Sequence, residues 1–405
     1  MTAPAHEDPS GISSIELFFD LLSVRPSPRF RWNRPAVFLL AAALALPAAA
    51  PAAVGVTEIA GKDGGPVTVF YPSRGEEQPL KRGPFTLDLA WQGAPVRGNG
   101  RLIVVSHGSG GSPWPESDLA RALVESGFVV AMPEHRGDNY KDMSAVGPES
   151  WKRRPAEVSR AIDAVAQDPR FAPLLALDKV GMYGMSAGGH TALSLAGGRW
   201  SPALFREHCE AHIAEDFYSC VGLATRLDGG VLDGLKKMIA LAVIRWRFDD
   251  KTWYTYADPR IAAVVAAVPY ATDFDMDSLA APRVPLALVT ARQDKWLLPR
   301  FHSDRVLRAC AACERLADLQ NGGHGALLSP FPPGLSGLVA DLLNDPPGFD
   351  RSVLPEIDRR IAAFFRAALR RKSSQATSAP SIPRHASAGV RSGRDLRRCE
   401  KDRAA

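Results

Sequence analysis

Residues 178–190 read DKVGMYGMSAGGH. A short apolar run leads into Ser186, with Gly184 two places before it and Gly188 two places after. The run predicts a strand, and the following GGHTALSLAGG predicts a helix. A serine at the tip of a tight strand-to-helix turn takes a strained backbone conformation, and small residues on either side relieve the crowding. Its Oγ then projects above the sheet, with the helix N-terminus behind it. A glycine-rich turn that merely caps a helix would carry the same five residues. The flanking elements and the partners found elsewhere in the chain favour a nucleophile.

Working outward, strand-like runs precede Ser186 at 66–73, 85–91, 101–108 and 128–135. The run RLIVVSHG is continuously apolar, as in a strand buried on both faces. Between these lie helix-like segments. SDLARALVESG at 117–127 has Ser117 as a candidate cap and Gly127 as a stop, and PAEVSRAIDAVAQDP at 155–169 puts Val158, Ile162 and Val165 on one face. Beyond Arg199 the periodicity is lost for some 60 residues rich in aromatics. It returns with strands at 260–270, 284–294 and the start of 315–325, and with helices at 302–313 and 355–371. The last helix lines up Ile357, Ile361, Phe364, Phe365 and Leu369, with acids at its start and arginines at its end, as the helix dipole favours. Strands alternating with helices imply crossovers, hence an α/β chain with a mainly parallel central sheet and helices on both faces. The block at 200–257 reads as an inserted cap.

The ends read differently. RFRWNRPAVFLLAAALALPAAAPAAVGV places Arg29, Arg31 and Arg34 before an apolar core at 36–46, followed by small-residue cleavage sites near Ala50. That is the pattern of an export signal, too short for a span of roughly 20 residues. An uncleaved anchor is the alternative, and the membrane enters only through it. The 24 residues before Arg25 make the leader long, which suggests a true start downstream, near Val24. The expected organisation is a leader over 1–55, a folded domain over 56–371 and a disordered basic tail over 372–405. Residues 371–405 hold nine basic and three acidic side chains, a net +6 that exceeds the whole chain's +5. The body is therefore near neutral, and nucleic acid is not an expected partner. Five cysteines form no zinc pattern, since the CxxC of Cys310 and Cys313 has no second pair.

A serine nucleophile needs a base, and the base needs an acid to orient it. In sheets of this type they follow in the order serine, acid, histidine. His190 lies one turn into the elbow helix, His208 and His212 fall in the insertion, His302 opens a helix and His385 is in the tail. His324, in NGGHGA, sits in a loop after the last predicted strand, where a histidine can reach over the sheet. Asp294 ends VPLALVTARQD, at the carboxyl end of a predicted buried strand where ligands gather. Asp273, after the preceding strand, is the alternative acid. SHGSGG at 106–111 follows a strand expected beside the nucleophile. It offers the backbone N–H of Ser109, together with that of Ala187, to a developing oxyanion. No Lys-Ser/Thr follows it, as a phosphate loop would require.

These stretches resemble the α/β-hydrolase superfamily, and within it the predicted dienelactone hydrolases and platelet-activating-factor acetylhydrolase-like esterases. The likeness rests on LIVVSHGSGGS, LARALVESGFVVAMPEHRG, DKVGMYGMSAGGHTALSLAG, DPRIAAVVAAVPY, VPLALVTARQDKWLLP and NGGHGALL, spread over residues 64–370. It implies an α/β-hydrolase fold, Ser186 as nucleophile, Asp294 as acid, His324 as base and an oxyanion loop at Ser109. It also implies cysteines in the insertion, where Cys209 and Cys220 stand. Two features depart from the pattern. Dienelactone hydrolases proper use a cysteine nucleophile, and the common GHSxGG reads GMSAGG here. The expected activity is hydrolysis of a carboxylic ester, on short-acyl esters or platelet-activating-factor-like lipids, with neither metal nor cofactor. The alternatives are a lipase or polyester hydrolase, a peptidase or acyltransferase, and an inactive binding protein on the same fold. Cys209 and Cys220 are expected to pair in an oxidising compartment; Cys310 and Cys313, on a predicted helix, less readily.

Overall fold

A computed structural model describes residues 52–61 and 65–370, and it places Ser186 at the end of a central strand. The expected export signal and the expected basic tail lie outside these residues. In chain order the strands are β1 (Ala53–Ile59), β2 (Val67–Ser73), β3 (Gln78–Arg82), β4 (Phe85–Trp91), β5 (Leu102–Ser106), β6 (Val129–Pro133), β7 (Val180–Met185), β8 (Arg199–Trp200), β9 (Ile261–Ala267), β10 (Phe274–Asp275), β11 (Leu286–Ala291) and β12 (Glu314–Leu319). The α-helices are α1 (Ser117–Glu125), α2 (Pro148–Gln167), α3 (Ala187–Leu195), α4 (Pro202–His212), α5 (Phe217–Val221), α6 (Asp233–Arg247), α7 (Met276–Leu279), α8 (Ser303–Ala309), α9 (Gly337–Leu343) and α10 (Leu354–Arg370).

Ten strands form one sheet in the order β12-β11-β9-β7-β5-β6-β2-β1-β4-β3. The six from β12 to β6 run parallel, so their carboxyl ends share one edge. The remaining four make an antiparallel-rich extension at the amino-terminal side. Alternate residues of a strand face opposite sides, and the two sides are both covered. Ile103, Val105, Tyr183 and Met185 pack with Leu119 and Leu123 of α1 and with Ile361 and Phe365 of α10. Leu102, Val104, Val180 and Met182 pack with Val158 and Ile162 of α2, Leu193 of α3 and Val306 of α8. Burial on both faces explains why β5 and β7 read as unbroken apolar runs. Each such side chain contributes about 1.5–3 kcal/mol on leaving water.

Several expectations shift. β1 begins at Ala53, so the folded chain starts inside the last residues assigned to the leader. Helix α2 starts at Pro148, seven residues before the expected start. Gly147, with φ 97°, turns the chain into it, and Pro155 sits inside the helix rather than opening it. Ser117 does not cap α1; its hydroxyl is buried without a partner. The helix expected over 302–313 ends at Ala309. Cys310 and Cys313 therefore leave the helix, and they are joined as a disulfide.

The insertion is helical. The backbones of Trp200 and Tyr254 exchange hydrogen bonds at its root (2.8 and 3.1 Å), and β8 pairs with β10 beside them. Between lie α4, α5 and α6, with α4 tied to α5 by a Cys209–Cys220 disulfide. Ala240 and Ile244 are the buried residues of α6. Leu235, Met238, Ile239, Val243 and Trp246 of the same helix face solvent, Trp246 at 80% exposure. Apolar residues on two faces produce no single stripe, which is why no helical period stands out in this block.

Candidate active site

The turn at Ser186 is as tight as its glycines suggest. Ser186 has φ 57° and ψ −116°, one of three non-glycine residues with positive φ among those described. Such a conformation costs of order 1–3 kcal/mol and persists only where its surroundings impose it. Here they do. A Cβ on Gly188 would lie 1.8 Å from the Ser106 carbonyl oxygen, and one on Gly184 would lie 1.9 Å from that of Gly188. The Ser186 amide donates to the Ala267 carbonyl at the end of β9 (3.0 Å), and its own carbonyl accepts from the amides of His190 and Tyr270.

The three residues separated by 138 positions meet at the carboxyl edge. Ser186 Oγ lies 3.0 Å from His324 Nε2, and His324 Nδ1 lies 2.7 Å from Asp294 Oδ2. Asp294 is 1% exposed, and its other oxygen accepts from the amides of Trp296 (2.9 Å) and Leu297 (2.8 Å). That fixes the carboxylate, which in turn orients the imidazole so that Nδ1 carries a proton and Nε2 faces the hydroxyl. The His324 loop is packed rather than free. His324 is buried, and Gly325 lies so close to α9 that a Cβ would sit 2.1 Å from the Leu343 carbonyl oxygen.

Asp273 takes another role. Its Oδ2 lies 2.9 Å from Nε2 of His190, both side chains wholly buried. His190 stacks on Trp151 with ring centroids 5.0 Å apart. The pair therefore braces the elbow helix against α2, and Asp273 does not meet His324.

The loop after β5 runs beside Ser186. A Cβ on Gly108 would be in ordinary contact with Ser186, 3.5 Å from its Cβ and 3.9 Å from its Oγ. The backbone N–H groups of Ser109 and Ala187 have no protein acceptor among the described residues. Beneath the loop lies a set of buried polar groups that the sequence did not reveal. Ser106 Oγ meets His135 Nε2 at 2.7 Å, and His135 Nδ1 meets Glu157 Oε2 at 2.7 Å. This repeats the atom pattern of the Ser186 relay, but Ser106 is 0% exposed and no substrate can reach it. Burial, followed by the charge of Arg154, holds His135 well below the ordinary histidine range. Arg154 and Asp138 form an ion pair of 2.9 Å, both side chains fully buried. In WKRRPAEV, Arg154 reads like its half-buried neighbours Lys152 and Arg153, so only the three-dimensional packing distinguishes it.

No group of three or more histidine, cysteine or acidic side chains suited to a metal ion occurs among the described residues. A cavity of about 390 Å³ lies elsewhere, between β3–β4 and α1, lined by Glu77, Asp88, Asp118 and Arg121 and by none of the triad. No family model and no curated protein matches the chain.

Proposed function

We propose that the chain is an exported serine carboxylic-ester hydrolase of the α/β-hydrolase type. The observation that carries this reading is the relay of Ser186, His324 and Asp294 at 3.0 and 2.7 Å, at the edge where the parallel strands end. Ser186 Oγ attacks the ester carbonyl while His324 Nε2 takes its proton. The carbonyl oxygen becomes an oxyanion and meets the N–H groups of Ser109 and Ala187. One such donor is worth about 3 kcal/mol in the transition state. The tetrahedral centre then collapses: the ester C–O bond breaks and the leaving alcohol takes the proton from His324. Water, activated by the same imidazole, hydrolyses the acyl-enzyme and regenerates Ser186. The two disulfides support an oxidising destination, in keeping with the leader. Short-acyl esters or platelet-activating-factor-like lipids are the proposed substrates.

A second reading, a lipase or polyester hydrolase, is favoured by one observation. The cap presents Leu235, Met238, Ile239, Val243 and Trp246 to solvent, a surface an aggregated substrate could cover. The test of the shared chemistry is direct. A fluorophosphonate should form a covalent adduct on Ser186, located by peptide mass, and should abolish hydrolysis of p-nitrophenyl butyrate. A chain that hydrolyses no ester and leaves Ser186 unlabelled would be an inactive binding protein instead.

A further inference from the structure

We infer that Arg154 and Asp138 are positioning residues that set the Gly108–Ser109 peptide so that its N–H faces the oxyanion. This rests on the esterase reading above and assigns a part of that site which the triad leaves open. The argument begins with the peptide plane. In a trans peptide the C=O and N–H point in opposite directions, so anchoring one aims the other. Three donors converge on the Gly108 carbonyl: His107 Nδ1 at 2.7 Å, the Gly111 amide at 3.1 Å and Arg154 Nη2 at 3.3 Å. Arg154 Nη1 also donates to the preceding carbonyl, that of His107, at 2.6 Å. With these two oxygens drawn towards α2, the Ser109 N–H is turned the other way. A Cβ on Gly108 would lie 3.5 Å from that of Ser186, so this peptide borders the serine.

Asp138 completes the clamp from the opposite end of the loop. Its Oδ1 accepts from Ser109 Oγ (2.6 Å) and from the Gly110 amide (2.9 Å). Its Oδ2 accepts from Ser150 Oγ (2.6 Å) and Arg154 Nη2 (2.9 Å). The carboxylate thus has four donors and stays ionised: burial pushes it up, but Arg154 and these hydrogen bonds outweigh burial and hold it at about 2. A buried ion pair is poor at adding net stability, because both charges lose their water. Its advantage here is directional. The planar guanidinium forks onto two successive carbonyls and one carboxylate, which a lysine's single ammonium could not do. Gly108, Gly110 and Gly111 have no side chains to hold the loop in place, so the pair supplies from below much of the rigidity that an oxyanion site needs.

The test uses the full chain carrying Arg154→Met with Asp138→Leu, which removes both charges together and so leaves neither one buried alone. Hydrolysis of p-nitrophenyl acetate should lose about 100-fold in kcat, with KM moving less than about threefold. An alkyl trifluoromethyl ketone adds to Ser186 and places an oxyanion where the ester's would be. Its Ki should rise in proportion to the loss in kcat/KM. A folded double variant with kcat/KM within about threefold of wild type would overturn the inference, on the donor's typical weight. So would a fall in kcat with unchanged affinity for the ketone, since a residue that acts only on folding or proton transfer would give that result. If the double variant does not fold, Ser109→Ala and Ser150→Ala each remove one hydrogen bond from Asp138 and no charge. Each should then shift kcat/KM and ketone Ki together by about fivefold, and no parallel shift in either would overturn it. A wild-type chain inert to both ester and ketone overturns the esterase reading and this inference together, whereas an active wild type with an unaffected variant overturns the inference alone.

Discussion

The elbow and the cap are built by opposite rules. At the elbow not even a methyl group fits: hypothetical Cβ atoms on Gly184 and Gly188 would lie within 2 Å of backbone oxygens. In the cap, five large apolar side chains of α6 are 46–80% exposed to solvent. The elbow's strained φ, its glycines and its hydrogen bonds to Ala267 at the end of β9 and to Tyr270 beyond it over-determine one geometry. The cap is held at its root, by one disulfide and by Phe205, Ile244 and Phe248, which pack into the core beneath it, while the outer face of α6 is left to solvent. On the proposed reading, chemistry that depends on fractions of an ångström sits in the first region, and what meets the substrate's surroundings sits in the second, where change is tolerated.

The most severe way to probe this contrast is at the triad. Ser186→Ala should lower kcat by at least about 10⁴-fold, and His324→Ala by a similar amount, with fold and KM largely kept. Asp294→Asn should cost about 10⁴-fold, since the imidazole would lose its oriented proton. Asp273→Asn should cost less, because Asp273 braces His190 rather than His324. Steady-state kinetics on p-nitrophenyl butyrate would measure all four. A larger loss for Asp273→Asn than for Asp294→Asn would show that the acid has been assigned to the wrong strand end.

The rigid half also encloses a carboxyl that no donor reaches. Glu116, 3% exposed, has both side-chain oxygens unpartnered, and burial raises its pKa from 4.5 to about 8 despite the charge of Arg154. Below pH 4.5 both folded and unfolded chains hold this proton, and burial carries no penalty. Between pH 4.5 and 8 the unfolded chain ionises while the folded one stays neutral, so stability falls as pH rises. At 1.36 kcal/mol per unit the loss approaches ~4 kcal/mol by pH 8. Glu116→Gln should therefore match wild type near pH 4 and exceed it increasingly up to pH 8, in urea unfolding at a series of pH values. Parallel pH profiles for the two proteins would mean the carboxyl is solvated.

In the cap, Cys209→Ser with Cys220→Ser should destabilise by about 2–3 kcal/mol, the loop-closure contribution of a bridge this short. Because the bridge ties α4 to α5 and touches no triad residue, kcat on p-nitrophenyl butyrate should fall less than about threefold at a temperature where the variant stays folded. A loss comparable with that of the triad variants would make the cap part of the catalytic geometry and remove the contrast.

The same division governs what could be read in advance. Ser186, Asp294 and His324 were legible because each ends or follows a predicted strand and together they keep the order that the sheet imposes. Glycine spacing announced the elbow for a steric reason that the structure bears out. The supports beneath were not legible. Arg154 lies in a charged run, and its role comes from packing against a loop 46 residues away. The start of α2 hid as well, because the apolar spacing of Val158, Ile162 and Val165 marks only its second half, while Gly147 and Pro148 carry the start. Strand β3, QPLKR, has no apolar alternation because it is the sheet's edge and largely exposed. The cap helices hid because α6 is apolar on its outer face as well as its inner one.

That outer face yields the smallest expected effect and the sharpest choice between substrates. If Ser186 serves short-acyl esters, what limits the acyl chain is the wall around the nucleophile, and each methylene that fits adds up to about 0.8 kcal/mol until one clashes. Rates should then be highest for acyl chains of about two to six carbons. The outer residues of α6 would play no part in turnover. Met238→Asp with Trp246→Asp should change stability by less than about 0.5 kcal/mol, as for other exposed sites. The same variant should change kcat/KM on soluble esters less than about twofold. A p-nitrophenyl ester series from acetate to palmitate, run below and above the solubility limit, measures both quantities. Rates that climb through the long chains and jump when the ester aggregates would favour a surface-active lipase. Loss of that jump in the double variant would assign it to α6, because two carboxylates there oppose burial against an apolar interface. A flat response to aggregation, with the peak at short chains in both proteins, would leave the cap as a roof over a small pocket.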